Sequence, residues 1–132
     1  MKPVIICVDD ESLILDSLKI VLKEYFGNDY SIESAENGLD ALELIEELTK
    51  NGVEIPILIS DYVMPEIKGD ELLILAHNKI PDALKIMLTG QADLEGVENV
   101  INKATLYRFL GKPWSKEDFI LTISEALKSF NQ

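Results

Sequence analysis

Five short apolar runs, at 4–8, 31–35, 55–60, 84–88 and 107–110, alternate with five stretches of helical periodicity, at about 12–26, 38–50, 67–78, 93–103 and 116–130. Alternation of this kind folds as right-handed crossovers onto one parallel sheet, which leaves few other architectures open. In the first helical stretch Leu15, Leu18, Leu22 and Tyr25 recur at three- and four-residue spacing, with Lys19, Lys23 and Glu24 off the stripe. One face is therefore buried and the other wet. Leu42, Ile45 and Leu48 repeat the pattern in the second stretch. Phe119, Ile123, Leu127 and Phe130 do so in the last, which opens on Ser115 with Asp118 three residues on, a capping signal. The first, third and fourth runs are nearly continuous Val, Ile, Leu and Met, as central strands covered on both faces require. Ser31, Glu33 and Ser34 mark the second as an edge. The expected architecture is α/β, a (βα)5 doubly wound, flavodoxin-like parallel sheet of order 2-1-3-4-5.

At 132 residues and 47% hydrophobic the chain suits one core, so a single domain over 1–132 is expected. Every apolar segment is too short to cross a bilayer, and Met1-Lys2-Pro3 leads straight into the first run, leaving no room for a signal peptide. A cytoplasmic location follows as an expectation. The formal net charge of -12 repels phosphate backbones and anionic lipid, so neither nucleic acid nor membrane is an expected direct partner. Cys7 is the only cysteine and lies inside the first run, which excludes an internal disulfide and suits a small buried hydrophobe.

The polar residues that close the runs carry the chemistry. Asp9 and Asp10 follow Val8, Asp61 ends the third run, Thr89 follows Leu88, and Lys112 follows Gly111. In a parallel sheet these ends emerge together, on the edge where open α/β folds bind ligands. Crowded carboxylates attract a hard divalent cation, and magnesium takes one or two of them together with waters and a phosphate. Asp10 and Asp61 are the expected direct ligands, with Asp9 acting through water. An aspartate is also a nucleophile toward phosphorus once its charge is neutralised. Lys112 supplies a mobile point charge for a phosphoryl oxygen, and Thr89 a hydrogen bond. Taken singly, each has a plainer account: Asp9 and Asp10 as caps of the first helix, Lys112 as a solvated surface lysine, Thr89 as a strand-to-loop hydroxyl. Their joint occurrence in order favours the site.

Val8-Asp9-Asp10, Asp61 with Met64-Pro65 and Gly69, Thr89-Gly90 and Lys112-Pro113-Trp114 resemble the response-regulator receiver domain of two-component signalling, over essentially the whole chain. The resemblance implies phosphorylation of Asp61 from the phosphohistidine of a sensor histidine kinase or phosphotransfer protein, with Mg2+ held by Asp9, Asp10, Asp61 and the Val63 carbonyl. It implies catalytic roles for Lys112 and Thr89, no enzymatic turnover beyond the domain's own phosphorylation and dephosphorylation, and a switch through Thr89 and Phe109. Tyr107, two positions before Phe109, shares its strand face by parity, and plain core packing is the rival account of Phe109. The output face would lie on the fourth helix, fifth strand and fifth helix, where Glu95, Glu98, Asn99 and Asn102 neighbour Lys103 and Arg108. The output domain or effector is not named by those residues, and the chain reads either as a stand-alone receiver or as one cut from a larger protein.

Val63 and Gln91 occupy positions that tune dephosphorylation in such domains. The interval of 51 positions from Asp10 to Asp61 is long for the family, with the excess placed in a surface loop around 49–54. His77 is expected to be an exposed helix residue, the donor histidine belonging to another protein. An aspartate-nucleophile phosphatase or mutase would need a second aspartate where Val63 stands. A nucleotide-binding module would need a glycine-rich phosphate loop, which the chain does not contain. A receiver acting only as a protein-binding scaffold is the remaining alternative.

Overall fold

The computed structural model describes residues 1–90, 94–104 and 106–132. Its elements run β1 (Val4–Val8), α1 (Ser12–Phe26), β2 (Ser31–Ala35), α2 (Gly38–Lys50), β3 (Ile57–Asp61), α3 (Gly69–Lys79), β4 (Leu84–Thr89), α4 (Leu94–Lys103), β5 (Leu106–Gly111) and α5 (Lys116–Phe130). All strand pairs are parallel, and the sheet order is β2-β1-β3-β4-β5, the order expected.

Alternate residues of each central strand face opposite sides. Ile6, Val8, Leu58 and Met87 join α2, α3 and α4 in one apolar cluster, whereas Ile5, Cys7, Ile57, Ile59, Ile86 and Leu88 join α1 and α5 in the other. Residues of β1 and β3 are buried throughout, which explains why β1 is apolar along its length and β3 apolar as far as Ser60. The helix ends follow local chemistry. Asn37 accepts from the Asp40 N–H to open α2, and Ser115 accepts from Asp118 to open α5.

Three expectations are corrected. Tyr25 does not complete the buried stripe of α1: it is 48% exposed, with the Lys116 ammonium 5.2 Å from its ring centroid, and Phe26 packs against the core instead. Four residues beyond Leu22, Phe26 lies nearer the stripe's axis than Tyr25, three beyond. His77 is half-buried rather than exposed, with Nδ1 inside and lacking a hydrogen-bond partner among the described residues; burial and Lys85 both lower its pKa.

The third correction concerns β5. Lys85 pairs with Leu106 but Ile86 pairs with Arg108, so Tyr107 is an extra residue in a bulge. A bulge puts successive side chains on one side and cancels the parity rule. Tyr107 packs with the α1 and α5 cluster, while Arg108 bonds Glu125 of α5 at 3.0 Å and lies 5.4 Å from the Tyr107 ring centroid. Phe109 pairs with Met87, which faces the opposite cluster, so Tyr107 and Phe109 do not share a face. Phe109 is 45% exposed, which removes the plain-core account of it.

Candidate functional site

Strand order decides where the site forms. β2 lies to one side of β1 and β3 to the other, so the chain's crossovers change direction between β1 and β3, and a crevice opens above their carboxyl ends. Asp9 and Asp10 follow one strand and Asp61 ends the other. One oxygen from each of the three carboxylates lies within 4.8 Å of the others.

Each carboxylate is held differently. Asp9 is fully buried, and its Oδ1 accepts the Glu11 N–H at 2.9 Å, so it does cap the approach to α1, while Oδ2 is buried with no partner among the described residues. Burial, the largest cause, pushes its carboxyl from 3.8 up to about 6. The Glu11 N–H opposes that rise, Asp61 adds to it, Lys112 opposes it and Asp10 adds. Asp10 is exposed. Asp61 is 2% exposed, and its Oδ1 accepts from Lys112 Nζ at 2.7 Å and from the Tyr62 N–H at 3.0 Å.

Lys112 comes from the far side of β4, and its reach is set by backbone: its N–H donates to the Thr89 carbonyl at 2.8 Å. Thr89 pairs with Gly111 across β4 and β5, is 4% exposed, and its hydroxyl donates to Gly90 O at 3.1 Å. The five strand-end residues singled out from sequence therefore share one edge. Val63, two residues beyond Asp61, is 62% exposed; Gln91 lies outside the described residues.

The loop after Asp61 is built tightly. The Gly69 N–H donates to Tyr62 O at 2.8 Å, and a Cβ on Gly69 would collide with the Asp61 carbonyl, so only glycine allows this approach. Ser60 donates its hydroxyl to that same carbonyl at 2.9 Å. The Tyr62 N–H, the Ser60 hydroxyl and the close approach of Gly69 thus hold Asp61 in place, which residue type alone does not reveal. Lys85 is another buried polar residue that the apolar look of 84–88 conceals, although a charge inside a central strand is itself a signal.

A doubly wound domain with three convergent carboxylates at its switch point, faced by one lysine and one threonine, is a narrow class. The family model described as the response regulator receiver domain matches residues 5–124, and the chain belongs to that family, the receivers of two-component signalling. A chemotaxis protein CheY homolog from Campylobacter jejuni is 33% identical over 115 residues, covering 86% of this chain and 83% of that protein. The hydrogenase transcriptional regulatory protein HoxA of Bradyrhizobium diazoefficiens is 27% identical over 126 residues, and the chain spans only 24% of its length. A CheY-like response regulator receiver domain protein from Methanospirillum hungatei superposes with a TM-score of 0.85 at 30% identity, covering 99% of this chain and 98% of that one. No helix among the described residues is long and apolar enough to cross a membrane.

Proposed function

We propose that the domain is a signalling switch that accepts a phosphoryl group on Asp61 from a phosphohistidine of a sensor histidine kinase or phosphotransfer protein in the cytoplasm. One observation carries this: Asp61 is buried among two further carboxylates yet tied through Oδ1 to Lys112 at 2.7 Å, so an anionic nucleophile and a cation for the incoming phosphoryl oxygens are already in place.

In the transfer a carboxylate oxygen of Asp61 bonds to phosphorus as the P–N bond of the phosphohistidine breaks, and the imidazole leaves with the electron pair. The nucleophile is a carboxylate paired with Lys112, and the step as written removes no proton from it. Phosphoryl transfer depends mainly on positioning and charge neutralisation. Lys112 would exchange its contact with Asp61 for a phosphoryl oxygen, and Thr89 would turn its hydroxyl from Gly90 O toward another.

The donor set suits a hard divalent cation, since three carboxylates converge and Asp9 Oδ2 is buried without a partner among the described residues. Asp9, Asp10, Asp61 and the Val63 carbonyl would hold Mg2+. When bound, it would supply positive charge against the carboxylates and the phosphoryl oxygens. Phe109, now half-exposed on β5, would move inward as Thr89 moves, altering the α4, β5 and α5 face that an output domain or effector reads.

Incubation with magnesium and a small phosphodonor, followed by intact mass, tests the proposal. One phosphate should add to the parent and none to Asp61→Asn. Stoichiometric labelling of that variant would overturn the assignment.

A further inference from the structure

The first turn of α3 is fastened to α4. Asn99 Nδ2 donates to Asp70 Oδ2 at 3.0 Å, a half-buried bond between residues 29 positions apart. Asp70 follows Gly69, whose N–H is bonded to Tyr62 O, and the Tyr62 N–H donates both to Asp61 Oδ1 and, at 3.0 Å, to Leu88 O. Gly69 also packs directly on the Asp61 carbonyl. A short, unbroken path of backbone and hydrogen bonds therefore runs from the Asp61 carboxylate to α4. It passes through neither Thr89 nor β5.

We propose that the Asp70–Asn99 bond tethers α4 to the loop after Asp61, fixing the resting place of α4 and passing the response of that loop to it by a route parallel to Thr89. The transmission half of the proposal rests on Asp61 being the phosphoacceptor. The groove beside the bond is lined by Tyr62, Lys68, Glu71, Glu98 and Lys103, and Asn99 is half-buried. Water competes only partly for the tether, so removing it should be felt. The acceptor is a carboxylate oxygen, and a carboxylate makes a stronger bond than a neutral acceptor. Any change at Asp61 that displaces the Tyr62 N–H acts on the start of α3, to which Asn99 ties α4 by a hydrogen bond beside the apolar packing of Val97 and Val100.

Amide exchange over residues 97–104 is the measurement, beginning with the resting protein. Asn99→Ala and Asp70→Ala should each speed exchange about fivefold, the amount expected for one hydrogen bond, and the double variant should be no faster than the faster single. Asp70→Asn, which keeps an acceptor, should retain most of the protection and guards against mistaking a folding defect for loss of the tether. Unchanged exchange in the single variants, or effects that add in the double, would overturn the tether. With magnesium and beryllofluoride as phosphoryl mimic, Thr89→Ala should keep part of the change in exchange seen in the parent, and Thr89→Ala combined with Asn99→Ala should lose it. Complete loss in Thr89→Ala alone would overturn the parallel route. Failure of the phosphoacceptor assignment would appear elsewhere, as absence of phosphate mass on Asp61, and the resting measurements do not depend on it.

Discussion

Lys85 should make this protein grow more stable as the solution turns alkaline, the reverse of what its large negative charge suggests. The side chain is fully buried, and its ammonium donates to Ala83 O at 2.8 Å and Ile80 O at 3.5 Å. Burial lowers its pKa from 10.5 to about 8, with Asp82 opposing. Between those values the unfolded chain holds a proton that the folded one has released, so stability rises with pH across that window and the cost is fully present below about pH 8. At about 1.4 kcal/mol per unit the gain amounts to roughly 3 kcal/mol. The measurement is a comparison with Lys85→Met, which shares every other group, in urea unfolding at intervals from about pH 7 to 10.5. Near pH 7 the variant is relieved of the buried charge but takes the Lys85 donor from the Ala83 carbonyl, while Ile80 O keeps the Ala83 N–H at 3.1 Å; the loss is about 1–3 kcal/mol, and the two proteins should be close in stability. By the alkaline end the parent should have gained about 3 kcal/mol on the variant. Curves that stay parallel would show that the two carbonyls satisfy the ammonium and would refute the reasoning.

Three further outcomes follow from the site and its loop. Asp9→Asn should stabilise the metal-free protein near pH 7 by up to about 3 kcal/mol, because the carboxyl is held near 6 and its cost grows as pH rises from about 4 to 6; unfolding with and without magnesium should show the gain shrink or reverse when metal is present. Gly69→Ala should destabilise by about 1–3 kcal/mol, since the new methyl meets the Asp61 backbone and not a side chain that can move, and calorimetry reads this directly. Glu66 has φ 66°, so Glu66→Gly should raise stability by up to about 1 kcal/mol through relief of the left-handed strain; a loss of stability in chemical unfolding would mean that the Glu66 side chain contributes more than its backbone costs.

Residue pattern by itself determined the element order, the sheet order and the convergence of Asp9, Asp10, Asp61, Thr89 and Lys112. Periodicity and strand-end position are local properties, and parallel crossovers carry every strand end to one edge. Val8-Asp9-Asp10 and Lys112-Pro113 were legible for the same reason. Features that depend on two distant segments meeting were not. The bulge at Tyr107 is a mismatch between β4 and β5, so counting by twos along β5 put Tyr107 and Phe109 on one face when the register separates them. Whether Asp9 or Asp10 would be the buried carboxylate turned on how α1 leaves β1, since neighbouring aspartates are equivalent in composition. Asp70 and Asn99 look like ordinary surface polar residues until α3 and α4 are laid side by side. Lys85 reads as a blemish in an apolar strand until the turn after α3 brings two carbonyls to its ammonium. Sequence fixes what each segment does alone because backbone and hydrophobic preferences act over a few residues, whereas hydrogen-bond partners and burial are settled only when packing brings distant groups within about 3 Å.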